Sequence, residues 1–192
     1  MAPFLSPIEK PRGPLRRIAY FMSRRQFGRV PTPVTVFGSR VPSSLLGFVG
    51  AVSKLDKKLR VPPELQVLVR ERVASMNMCL FCMDASRWFA TNNPDINMAK
   101  LDALAEYQTS PLFTEAQRAA LDYATELTRD RAVNPTTFER LRHHYTEEQI
   151  CDLVWLVSTE HLYNISNIGL DIGSDNLCEL RPANAGVQAA AS

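Results

Sequence analysis

From residue 61 onward, apolar positions return every three or four residues, the period of a helix that buries one face. Pro63–Met76 places Leu65, Leu68, Val69, Arg72 and Val73 on that repeat. Asn77 is suited to cap a following helix, expected over Cys79–Ala90 and stopped by Asn92-Asn93-Pro94. A shorter helix is expected over Met98–Tyr107. Thr114-x-x-Gln117 has the pattern of a capping box and opens a helix to about Asp130, with Ala120, Leu121, Ala124 and Leu127 on its apolar side. Asn134-Pro135 pairs an N-cap with a first-turn proline for a short helix to His144. Thr146-x-x-Gln149 repeats the capping box and opens the longest helix, to about Leu170. It is apolar on most sides around Leu153–Leu162, so it is expected at the centre.

The first third reads differently. Residues 1–14 hold four of the 13 prolines and predict an extended arm. Leu15–Phe27 predicts a short basic amphipathic helix, with Leu15, Ile18, Ala19 and Met22 on one side and Arg16, Arg17, Arg24 and Arg25 on the other. Residues 28–42 predict an irregular connector, and Ser43–Leu59 a further helix stopped before Pro62-Pro63. No run alternates with period two for long. The expected fold is all-α: an arm over 1–42, a helical domain over 43–180 and a loose small-residue tail over 181–192.

Of the 192 residues, 45% are hydrophobic and 22% charged, which excludes wholesale disorder. No stretch reaches the roughly 18 apolar residues of a membrane-spanning helix, so no integral membrane segment is expected. The opening MAPFLSPIEK lacks a basic region followed by an apolar one, and a cytoplasmic protein is expected. No Gly-x-Gly-x-x-Gly or Walker-type loop occurs, so no nucleotide cofactor is expected. Residues 1–60 carry a net charge of +10 and the remainder −8. A basic third can serve nucleic acid or an anionic membrane. Here the basic residues are interleaved with Leu, Ile and Phe, so the expectation is an arm laid on the acidic body of its own or a neighbouring subunit. No nucleic-acid partner is expected, and a homo-oligomer is.

Of the four cysteines, only Cys79 and Cys82 are close in sequence, too few for a disulfide scaffold. Two cysteines three apart at a helix start share a face and can close a disulfide. Unpaired N–H groups there favour a thiolate. Two other readings stand beside redox chemistry: a pair of small buried hydrophobes, or half a metal site for which Cys151 and Cys178 supply no second C-x-x-C.

The stretch from Val61 through Cys79-Leu80-Phe81-Cys82 to Ser86 resembles the core of the carboxymuconolactone decarboxylase and alkylhydroperoxidase-D-like family. Ser110–Ala124 and Asn164-Ile-Ser-Asn167 resemble that family's later helices, so the resemblance spans roughly 45–173. It implies an all-α fold, homo-oligomers and thiol-dependent peroxide reduction, with Cys82 as the attacking thiol, Cys79 as the resolving one and a separate thiol reductant. In the family's other branch it implies a decarboxylase-like activity on a lactone. The substrate expected is therefore a small molecule, a peroxide or a lactone. A non-catalytic scaffold of the same fold is the third reading.

The proton relay that the resemblance implies is altered. The family's histidine falls on Ser86, its glutamate on Val67, its alternative histidine on Phe81, and the glycine of its Asn-Gly on Met78. Serine can hydrogen-bond a thiolate but cannot take its proton at neutral pH. Two residues are candidates to substitute. Glu71 lies one helical turn beyond Val67 on the same face; its plain alternative is a solvated carboxylate paired with an arginine. His161 lies in the central helix, where its plain alternative is a hydrogen-bonded core residue. Glu160, Asn164 and Asn167 form a polar line read as a helix–helix network, Asp84 and Arg87 are expected as a surface ion pair, and Trp88 and Trp155 as core anchors.

Overall fold

The computed structural model describes residues 2–179, in which helices alternate with short turns and no strand occurs. Eight α-helices follow in order: α1 (Pro14–Phe27), α2 (Pro42–Asp56), α3 (Pro63–Met76), α4 (Leu80–Thr91), α5 (Met98–Asp102), α6 (Glu115–Asp130), α7 (Pro135–Arg142) and α8 (Glu147–Ile168). The expected tail over 181–192 lies outside the described residues. No helix among those described is long and apolar enough to cross a membrane.

Helix α3 sits at the centre and packs against α4, α6 and α8. Its Leu65, Leu68, Val69 and Val73 meet Ala120, Leu121 and Ala124 of α6 and Leu153, Leu156 and Val157 of α8 in one core. The small residues of α6 allow its backbone to come close to α3. Both capping boxes form: Thr114 and Thr146 accept from the backbone N–H of Gln117 and Gln149, whose side chains bond back.

Several local expectations are corrected. Asn77 does not start α4; it ends α3, and Cys79 takes the N-cap of α4 in extended conformation. Between them Met78 adopts a left-handed φ of 55°. The backbone here takes a conformation that suits glycine, at a steric cost of about 1–2 kcal/mol for an L-residue. The connector over 28–42 contains a π-helical turn, Val34–Gly38, and Met98–Tyr107 divides into α5 and a 3₁₀ turn over Leu104–Glu106. Helix α2 stops at Asp56, three residues short of Leu59.

The basic arm rests on its own chain. The Phe4 N–H donates to the Leu170 carbonyl, and Ile8 N–H to that of Thr35, both at 3.0 Å. Asp175 accepts from Thr32 N–H at 2.6 Å and from the Thr32 hydroxyl at 2.5 Å, and pairs with Arg29 at 3.5 Å. Helix α1 buries Ala19 and Tyr20, while Leu15, Ile18 and Met22 of the expected apolar stripe are exposed, with Phe21 beside them.

The fully buried Leu153 fills the contact between α8 and α3. Leu153→Ala is expected to lower the free energy of urea unfolding by about 2–5 kcal/mol. Thr146→Ala, which removes only the cap of α8, is expected to cost about 1 kcal/mol in the same measurement.

Candidate active site

Cys79 and Cys82 are joined as a disulfide across the first turn of α4, with Cα atoms 5.3 Å apart. Spacing alone allows this, since residues three apart at a helix start meet on one side. The pair is buried in a small apolar niche with Ala74 of α3, Met83 of α4 and Tyr163 of α8. Among the described residues, one side chain donates to these sulfurs. Asn167, itself buried near the end of α8, points its Nδ2 at Cys82 Sγ at 3.3 Å and at Cys79 Sγ at 3.7 Å.

The turn that carries Cys79 is tied to α8 by Asn77. Its Nδ2 donates to Asn164 Oδ1 at 2.7 Å and faces His161 Nδ1 at 3.1 Å. Asn164 in turn donates to Glu160 Oε1 at 2.7 Å. Glu160 pairs with Arg70 at 3.4 Å, and Arg70 reaches Asp56 at 2.9 Å. Trp155 donates its indole N–H to Asp56 at 2.9 Å, which ties α8 to α2 and makes Trp155 more than an apolar anchor. Burial raises the Glu160 carboxyl above its ordinary range, against the pull of Arg70. The polar line on α8 is thus a helix–helix network for Glu160 and Asn164, while Asn167 leaves it for the sulfurs.

Glu71 is 2% exposed and is not the solvated residue that one reading of the sequence allows. It does pair with an arginine, Arg87 of α4, at 3.4 Å from its Oε1. Its Oε2 is buried without a hydrogen-bond partner. Burial pushes its carboxyl up to about 7; Arg87 opposes this, the neighbouring Glu160 adds to it, and the Ser86 hydroxyl gives a smaller pull toward the charged form. Glu71 and Ser86 therefore face each other where the resemblance calls for glutamate and histidine, with the carboxyl moved one turn along α3. Val67 packs against the main core instead.

His161 makes no hydrogen bond to either sulfur. Its Nδ1 faces Asn77, and its Nε2 faces Arg131 at 3.2 Å and Thr128 at 3.3 Å. Burial, then the Arg131 guanidinium, lowers its pKa, so the ring is neutral at pH 7.

Asp84 and Arg87 do not form the expected surface pair. Asp84 is buried and accepts from the Ser174 hydroxyl at 2.9 Å and from backbone N–H groups of Asp175, Leu177 and Cys178 at 3.1, 2.8 and 3.1 Å. Its burial opposes charge, yet these donors outweigh it and hold the carboxyl below its usual range. Arg87 turns to Glu71 and to Asp102, the latter at 2.8 Å. Cys178 lies against this helix, and its thiol is pushed up to about 11 by burial and by Asp84, which makes it a poor nucleophile at neutral pH. Among the described residues, no cluster of three or more His, Cys, Asp or Glu could hold a metal ion.

Asn77, Arg87 and Asn167 are singled out in the sequence as a cap, an ion-pair partner and a member of the polar line, but their partners in the site, Asn164, Glu71 and the sulfurs, are not. The seven-residue spacing from Glu160 to Asn167 signals a shared inward face, but only the fold shows which partner each group meets.

No family model matches the chain. It is 30% identical over 184 residues to the uncharacterized protein YnjA of Escherichia coli (strain K12), covering 92% of this chain and 96% of YnjA. Among solved structures it resembles the debrominase Bmp8, with a TM-score of 0.76 at 22% identity over 90% of this chain and 92% of that one. A cysteine-to-alanine variant of Bmp8 in complex with 2,3,4-tribromopyrrole gives 0.77 at 22% identity, over 92% and 94%. A peroxidase-related protein with an alkylhydroperoxidase AhpD core, from Ralstonia eutropha JMP134, gives 0.70 at 22% identity over 90% and 95%. By sequence the chain belongs to one family with YnjA, and its fold is that of the alkylhydroperoxidase AhpD core.

The raised Glu71 pKa has a consequence for stability. An unfolded glutamate loses its proton near 4.5, whereas the folded one keeps it to about pH 7. Between those values the native state binds more protons, so stability from this group is full below pH 4.5 and falls until about pH 7, by about 3 kcal/mol. Glu71→Gln is expected to remove that fall. Urea midpoints of wild type and variant, measured from pH 4.5 to 8, should diverge in favour of the variant as pH rises.

Proposed function

We propose that this protein is a thiol-dependent reductase that uses Cys82 and Cys79 to pass two electrons to a small-molecule substrate, a peroxide in the first instance. The observation that carries this reading is the disulfide itself, buried at a helix start in a chain with the alkylhydroperoxidase-D-like fold. The Cys82 thiolate attacks the distal peroxide oxygen. The O–O bond breaks, Cys82 becomes a sulfenic acid, and the departing alkoxide takes a proton to leave as an alcohol. Cys79 then attacks the Cys82 sulfur, hydroxide leaves and is protonated to water, and the disulfide closes. A separate dithiol reductant restores both thiols.

Glu71 is the group assigned to supply and recover the proton. Its carboxyl titrates near neutrality, the poise that a general acid–base needs, and it faces Ser86 one turn along α4 from Cys82. Ser86 serves as a hydrogen-bonding partner in this scheme and His161 as a neutral support for Asn77.

The likeness to Bmp8 across 90% of the chain favours a second substrate class, an aryl or heteroaryl bromide. The electron balance is the same. The thiolate takes the bromine, the carbanion is protonated, the second thiol closes the disulfide, and bromide leaves.

The exposed apolar residues of α1, together with Leu162, Ile165 and Ile168 on α8, support a homo-oligomer in which these faces are covered. Deleting residues 1–27 is expected to shrink the assembly in light scattering.

The chemistry is tested with dithiothreitol-reduced protein and tert-butyl hydroperoxide. Mass spectrometry should show the Cys79–Cys82 disulfide formed once per peroxide consumed. Cys82→Ser should abolish consumption, Cys79→Ser should halt at a sulfenic acid that dimedone traps, and Glu71→Gln should slow turnover at pH 7 about 10²-fold. Bromide release from 2,3,4-tribromopyrrole without peroxide consumption would favour the second substrate class. Thiols that survive both reagents would overturn the reading.

A further inference from the structure

Among the described residues, Asn167 is the sole hydrogen-bond donor to either sulfur of the pair. A disulfide sulfur carries no hydrogen, so only the N–H end of the amide can bond to it. The side chain is 5% exposed and sits in an otherwise apolar niche, where a donor aimed at an anion acts in low dielectric and loses little to water. Its contact is shorter to Cys82, 3.3 Å, than to Cys79, 3.7 Å.

The helix itself does not choose between the two. Both sulfurs belong to the first turn of α4, where unpaired N–H groups favour negative charge. Cys79 occupies the N-cap, the position best placed to use those groups, yet its side chain makes no capping hydrogen bond. It is also the more buried of the two, at 1% against 6%.

We propose that the Asn167 amide is the anion-binding group of the reduced site, holding Cys82 as the thiolate and thereby making Cys82, not Cys79, the sulfur that attacks. This deepens the thiol-redox reading above and rests on it for its catalytic meaning, although the charge state of Cys82 is measurable without any substrate. A hydrogen bond to a charged group is strong enough to shift an ionisation equilibrium about tenfold or more.

The test uses the full chain carrying Cys79→Ser, reduced, with iodoacetamide as the probe and alkylation of Cys82 read by peptide mass spectrometry against pH. With Asn167 present, the alkylation midpoint of Cys82 should lie well below that of an ordinary thiol. Asn167→Leu should raise it by about one pH unit and slow alkylation at pH 7 about tenfold. Asn167→Asp keeps the shape and serves if the leucine variant fails to fold; its carboxylate should raise the midpoint at least as far. An unchanged midpoint in a folded variant, or an ordinary midpoint with Asn167 in place, overturns the inference. Peroxide turnover is scored separately. A shifted midpoint without turnover sinks the reductase reading alone, and turnover with an unshifted midpoint sinks the role of Asn167 alone.

Discussion

Helix α8 must bury polar side chains along the face that also fills the core. Leu153, Leu156 and Val157 pack against α3, and one to three turns further Glu160, Asn164 and Asn167 are buried in line with them. A buried polar group costs several kcal/mol unless it is hydrogen-bonded. Each of the three is: Glu160 to Arg70 and Asn164, Asn164 to Asn77, and Asn167 to the sulfurs. Sliding α8 by one turn would break all of these at once. The register of α8 on α3 is therefore set by polar pairing as much as by apolar packing, and that register brings the amide of Asn167 to the cysteine pair.

Two buried carboxyls near α4 show how donors decide charge. Asp84 meets a hydroxyl and three backbone N–H groups and stays ionised despite its burial. Glu71 meets one guanidinium at 3.4 Å and leaves an oxygen unpaired, so burial prevails and it holds its proton to about pH 7. The first is a fixed anion that organises a loop. The second is a group whose charge changes in the physiological range, and both carboxyls act on the Cys178 thiol.

Helix period, capping boxes and proline positions were sufficient to place α3, α6 and α8 within two residues, because each has a long apolar face and a local start signal. Asn77 was misread because an asparagine ahead of a helix looks the same whether it opens that helix or closes the previous one. The cysteine pairing was readable from its spacing. Glu71 was readable as a candidate to replace a carboxyl at Val67, since both lie on one face of α3. The partners of Asp84 and Arg87 were not: Asp84 bonds to residues about 90 positions away, and Arg87 pairs with an α3 residue, which three-residue spacing on α4 cannot report. Tertiary contact overrode the local ion pair.

Asp175 joins the loop held by Asp84 to Thr32 of the arm, residues 143 positions apart in sequence. On the ribosome, the arm is made first and its anchor among the last of the described residues. Thr32 and Arg29 must therefore wait through synthesis of the seven helices from α2 to α8 before their partner emerges. Contacts of such long separation form late in folding as well, since closing the loop is costly until the intervening chain is ordered. The nascent protein thus passes through a stage in which the helical body is assembled and the arm is still undocked, and during that stage Trp88 and Phe89 of α4 lack the Phe27 ring that packs on them at the end of α1.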